Sequence, residues 1–149
     1  MSLQTDRIFI KALQSDSVLM SMLAEGDVYN TAISVPDTEL DNVPLPYVIV
    51  SFDGMNLDTT SKDDCFDGET DTVTVSIEAA AETRPKLADI LIRCRKAVAE
   101  YFEEHEGCGG KEAVMIPLQT EISASAVQYD SEKPCYWQRL IYQCETNAD

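Results

Sequence analysis

Residues 72–79, Thr72-Val73-Thr74-Val75-Ser76-Ile77-Glu78-Ala79, alternate between polar and apolar side chains. A period of two puts Val73, Val75, Ile77 and Ala79 on one face and Thr72, Thr74, Ser76 and Glu78 on the other, as a half-buried β-strand requires. Just downstream the period changes. Thr83 can cap a helix, Pro85 is tolerated in a first helical turn, and Leu87, Ile90, Leu91, Cys94, Val98 and Phe102 fall on one apolar stripe at helical spacing. A half-buried strand running straight into a long amphipathic helix decides the fold class, because each presents an apolar face that must be covered.

Upstream, Tyr47-Val48-Ile49-Val50-Ser51-Phe52 predicts a second strand, preceded by Pro44-Leu45-Pro46 and left at Asp53-Gly54. Between the two strands, residues 53–71 carry Asp53, Asp58, Asp63, Asp64, Asp67, Glu69 and Asp71 against Lys62, which predicts an acidic, solvated loop. Near the N-terminus, Ile8, Phe9, Ala12, Leu13, Val18, Leu19 and Met22 predict a helical segment broken at Ser15-Asp16-Ser17. A turn at Glu25-Gly26-Asp27, a short extended piece at Val28-Tyr29 and a polar connection over 34–46 follow.

Downstream, Gly107-Cys108-Gly109-Gly110 ends the long helix within a glycine-rich loop over 105–112. Leu118, Ile122, Ala124 and Ala126 share one strand face, 130–134 form a turn, and 135–145 return as the second arm of an antiparallel hairpin. The order predicts a single α+β domain over 1–149: a mostly antiparallel sheet, a long helix packed across one face and an N-terminal helical segment. Strand 47–52 is apolar on both faces, and Tyr136, Trp137, Leu140, Ile141 and Tyr142 are split between faces, so loops or another subunit must cover the second face.

The chain has 149 residues, of which 44% are hydrophobic and 26% charged, the composition of a folded domain. Its 27 acidic against 11 basic residues give a formal net charge of −16, which repels bare DNA, RNA and anionic membrane. The longest apolar runs fall far below the roughly 18–20 residues that span a bilayer. The N-terminus, with Asp6 and Lys11 around a short apolar run, lacks the pattern of a secretory signal, so a cytoplasmic protein is expected. Five cysteines, Cys65, Cys94, Cys108, Cys135 and Cys144, argue for reduced thiols rather than a disulfide framework. Cys94 lies on the helix stripe, while Cys135 and Cys144 point to opposite faces of one strand and cannot pair.

Residues 63–74 match a calcium loop at Asp63, Asp67 and Gly68, but Cys65 takes the third position and Thr74 the twelfth, where a bidentate glutamate is needed. His105 and Cys108 are the only near pair of zinc-type ligands. His105 is also the only histidine, so any nucleophilic triad must use it; nucleophile-elbow, phosphate-loop and dinucleotide-binding patterns are absent from the sequence. No metal, cofactor or catalysis is expected. The charge layout is more informative. Arg84, Lys86, Arg93, Arg95 and Lys96 against Asp89 give the long helix a local excess of four positive charges within an acidic chain. These residues read either as a solvated face with local ion pairs or as an oligomer interface, in which the basic helix of one copy meets the acidic segment of the next and closes a ring.

Several features together resemble the small tail-terminator and tail-completion (head–tail joining) proteins of tailed bacteriophages and prophages. They are the N-terminal helical segment, Val28-Tyr29, Pro44-Leu45-Pro46-Tyr47-Val48-Ile49-Val50, a polar loop, Thr72-Val73-Thr74-Val75-Ser76-Ile77 and the helix through Leu87-Ala88-Asp89-Ile90-Leu91. The resemblance implies a non-enzymatic structural subunit that assembles with itself, commonly as a hexameric ring, between tail-tube and head-connector proteins. It also implies assembly in the bacterial cytoplasm, then residence in the virion tail or neck, without membrane contact or sequence-specific binding of nucleic acid. The long final hairpin and the Gly107–Gly110 run depart from the family pattern. Asp58, Asp63, Asp64, Asp67, Glu69 and Asp71 would then lie at an interface or line a lumen through which DNA passes. The rival reading is an acidic, DNA-mimicking inhibitor of a basic partner protein; its acids should spread over one continuous face, whereas these cluster in one segment.

Overall fold

The computed structural model describes residues 2–30, 43–58, 70–104, 114–115 and 121–147. A 3-10 turn at Ser2–Gln4 leads into α1 (Thr5–Gln14) and α2 (Ser17–Met22), followed by β1 (Tyr29–Asn30), β2 (Tyr47–Asp58), β3 (Thr70–Ala81) and α3 (Arg84–Glu104). Four strands complete the described chain: β4 (Val114–Met115), β5 (Glu121–Ala124), β6 (Gln128–Asp130) and β7 (Cys135–Asn147). The strands form one mixed sheet in the order β1-β2-β3-β7-β4, with β5 and β6 also pairing β7. Among the described strands only β1 runs parallel to its neighbour; the other pairs are antiparallel. The architecture is α+β, as the element order predicts.

β3 is the central strand because both of its neighbours match it over its full length. Val50 lies opposite Ile77 on one side and Leu140 opposite Ile77 on the other. Val73, Val75, Ile77, Ala79 and Ala81 of β3 are buried together with Val48 and Val50 of β2 and Leu140, Tyr142 and Cys144 of β7. The same cluster takes in Ile8, Phe9 and Leu13 from α1, Leu19 from α2, and Leu87, Ile90, Leu91, Cys94, Ala97 and Val98 from α3. Phe9 sits at its centre, with ring centroids 5.1 Å from Phe102 and 5.3 Å from Tyr142. The helical layer thus covers one face of the sheet, and α3 lies on it by the stripe that its sequence carries.

On the other face Tyr47, Ile49, Ala80 and Cys135 are buried, with Tyr29, Val43, Leu45 and Trp137 packed against them. The Lys133 ammonium donates to the Val43 carbonyl and lies 5.3 Å from the centre of the Tyr47 ring. At this end, therefore, the chain's own residues 43–45 contribute to covering the second apolar face. Cys135 and Cys144 fall on opposite faces, as their spacing requires.

Two segments differ from the sequence expectation. The strands run into the acidic stretch: β2 continues to Asp58 and β3 begins at Thr70, so the loop read over 53–71 is strand at both ends. Asp53-Gly54 is not a turn but a bulge, at which the β2–β3 register shifts while pairing resumes from Gly54 opposite Thr74. Gly54 adopts φ of 148°, a conformation open to glycine, and so lets the strand carry on. The penultimate strand is also broken in two. Between β5 and β6, Ser125 bonds to β7 partly through its side chain: its N–H donates to the Arg139 carbonyl at 2.8 Å while its Oγ accepts from the Arg139 N–H at 3.0 Å. Gln138 Nε2 donates to the Ser125 carbonyl at 2.8 Å. Ala124 and Ala126, expected on an apolar face, are exposed. The glycine-rich loop over 105–112 lies outside the described residues.

Candidate assembly surface

α3 starts where β3 ends. The Thr83 carbonyl accepts from the Leu87 N–H at 3.0 Å and Thr83 Oγ1 accepts from the Lys86 N–H at 3.4 Å, so the residue expected to cap the helix does so. Arg84 and Lys86 lie in this first turn, exposed and without an acidic partner among the described residues. The remaining cations of the predicted surface are engaged within the chain. Arg93 Nη2 donates to Asp16 Oδ1 at 3.1 Å, and its Nε lies 2.8 Å from Asp16 Oδ2 as an ion contact. Arg95 reaches Glu121 on β5 with Nη2 at 2.5 Å and Nε at 3.1 Å from the same carboxylate oxygen. Lys96 lies 3.8 Å from Glu100, one turn on. The middle of the helix thus carries local ion pairs, and Arg84 and Lys86 at its start have no ion-pair partner among the described residues.

Asp16 holds the densest polar site. Its carboxylate accepts from the N–H groups of Val18 and Leu19, at 3.0 and 3.1 Å, as well as from Arg93. Burial pushes its pKa up, but the Leu19 amide, the Arg93 guanidinium and the Val18 amide outweigh it and hold the carboxyl below its ordinary value. A cavity of about 250 Å³ opens beside this pair, lined by Ser15, Asp16, Ser17, Arg93, Ala97, Glu100, Tyr101 and Glu104. The Asp16–Arg93 pair in its wall joins the start of α2 to α3. On the second face of the sheet, Arg139 pairs with Glu78 at 3.1 Å across β7 and β3.

Of the acidic candidates, Asp58 and Asp71 belong to the opposite end of the sheet. Asp58 lies opposite Thr70 and Asp71 opposite Leu57 at the far ends of β2 and β3. Asp63, Asp64, Asp67 and Glu69, and His105 with them, lie outside the described residues. β3 spans about 40 Å at ~3.3 Å per residue, so Asp71 and the Arg84–Lys86 turn mark opposite ends of one strand and its following turn. The excess of four positive charges read from the sequence covers only Arg84 to Lys96. α3 runs on through Glu100, Glu103 and Glu104, all exposed, so the whole helix carries five basic and four acidic residues and is polarised along its length. The acid partners Asp16 and Glu121 were not foreseen either, because each is far from α3 in sequence.

Among the described residues no helix is long and apolar enough to cross a membrane, and no group of three metal-type ligands is gathered. No family model matches the chain, and no curated protein matches it. Among solved structures, a chain of the virion of a native gene transfer agent (GTA) particle superposes with a TM-score of 0.52 at 14% identity. The alignment covers 96% of this chain and 94% of that one. The likeness is one of fold, and it extends from end to end: this chain has the α+β fold of a protein found in a virion particle.

Proposed function

We propose that this chain is a non-enzymatic structural subunit of a phage-like particle, of the tail-terminator or head–tail joining type, and that it works by assembling into a ring. The observation that carries the reading is the end-to-end fold likeness to a chain of a gene transfer agent virion, with 96% and 94% of the two chains aligned. The order of elements supports it too, since the resemblance to tail-terminator proteins rests on the same helical segment, paired strands and long helix. In this reading six copies close a ring between the last tail-tube ring and the head connector. The subunit assembles in the bacterial cytoplasm and ends in the tail or neck. The acidic end of the sheet, with Asp58 and Asp71 on its strands and Asp63, Asp64, Asp67 and Glu69 in the connection, faces the lumen and keeps passing DNA from adhering by like charge. The surface of α3 carrying Arg84, Lys86, Arg93, Arg95 and Lys96 makes one contact between copies. Negative-stain imaging of the purified protein tests the assembly: closed annular particles with a central opening are expected, and dispersed monomers or open chains overturn it.

A further inference from the structure

The charges on α3 are placed against its own dipole. The N-terminus of a helix favours acidic side chains and its C-terminus basic ones. Here the first turn has no acid and the last no base. Arg84 and Lys86 stand at the positive end and Glu103 and Glu104 at the negative end, about 29 Å away at ~1.5 Å per residue. None of the four has an ion-pair partner among the described residues. The outer face carries a row of Ala88, Ile92 and Ala99, and Ile92 is 62% exposed, one of the largest exposed apolar side chains of the fold, while Lys86 and Glu104 lie along one flank of the helix, where Glu104 also lines the cavity beside Asp16. Asp89, Arg95, Lys96 and Glu100 border this row, the last three already held in ion pairs within the chain.

Charges unfavourable for their own helix become favourable for a neighbour's. An Arg or Lys beside the C-terminal turn of another α3 meets both acidic side chains and the negative end of a dipole, and the converse holds for the glutamates. Helix 84–104 is complementary to itself when the basic end of one copy lies against the acidic end of another. We propose that the outer face of α3 docks on the same face of a second copy, with Arg84 of one near Glu103 of the other, Lys86 against Glu104 along the shared flank, and Ile92 covered between them. The inference rests on the reading that copies associate. It names the partner of the basic surface, which is α3 itself, and so assigns the acidic end of the sheet no part in this contact.

The sign of the dipole makes the test clean. Replacing Arg84→Glu with Lys86→Glu, or Glu103→Lys with Glu104→Lys, aligns each charge with its own helix, so the melting temperature of the separated chain should hold or rise. Association should nevertheless weaken in both double variants, by roughly tenfold or more in dissociation constant at low ionic strength. Mixing the two variants should restore it, because the acidic face of one then meets the basic face of the other. Native mass of each variant and of the mixture is the readout. Variants that associate like the wild type, or a mixture that stays apart, overturn the contact, and a ring that persists in those variants leaves the ring reading standing. Restored association supports the contact, which is twofold and complete with two copies; a larger closed oligomer must join such pairs through a second surface.

Discussion

Asp16 and Arg93, 77 residues apart, are joined by a hydrogen bond of 3.1 Å and an ion contact of 2.8 Å that fasten the start of α2 to the middle of α3. The Asp16 side chain is only 6% exposed, and the same carboxylate caps α2. Removing it with Asp16→Ala should therefore cost about 2–4 kcal/mol of stability, one part for the cap and one for the hydrogen bond to a charged donor. Asp16→Asn keeps the cap and loses the charge, so it should cost less; urea unfolding of the two variants separates the parts.

The same carboxyl links stability to pH. Its pKa is lowered in the folded chain, so the stabilisation is fully present above the ordinary carboxylate value and is lost as pH falls through the folded value. The gap in melting temperature between wild type and Asp16→Asn should be constant near neutrality and shrink below about pH 4. A gap that holds in acid would mean the ion pair contributes nothing.

Phe9 is fully buried between Phe102 and Tyr142 and ties α1, α3 and β7 into one core. Phe9→Ala should cost about 3–5 kcal/mol, a large share of the ~5–15 kcal/mol that stabilises an ordinary domain. Denaturant unfolding should show the midpoint falling, and a loss under 1 kcal/mol would contradict the packing described.

The buried thiols should be inert. Burial pushes Cys94 and Cys144 each up to about 12, and the Cys135 thiol also upward, so little thiolate exists at neutral pH. Alkylation of the folded protein followed by peptide mass mapping should leave these three unmodified, and denatured protein should react at all of them.

Gly54 sits at the β2 bulge with φ of 148° and nothing within 4 Å of the position of an added Cβ. Gly54→Ala thus meets no steric obstacle and still costs about 1–3 kcal/mol through backbone strain alone. Thermal melting should show this loss; no change would mean that the bulge relaxes.

Much of this fold is written in local periodicity. The alternation through Val73, Val75 and Ile77 and the stripe from Leu87 to Phe102 each report which face is buried, and both faces are the ones found buried. Strand limits were less legible, because Asp-Gly signals a turn in most contexts and here serves a bulge inside β2. The candidate surface was legible only as a count of charge. That Arg93 and Arg95 are held by Asp16 and Glu121 depends on how α2 and β5 pack beside α3, which residue spacing along the chain does not encode. The polarity of α3 could have been found by carrying the tally through Glu103 and Glu104.

The central claim is that this chain acts by assembling with itself, and native mass tests it most directly. Light scattering over a range of concentrations, at low and high salt, should find a closed oligomer several times the 16.5 kDa of one chain, and salt should weaken it because its contact is between exposed charges. A strict monomer at every concentration and salt would contradict the account.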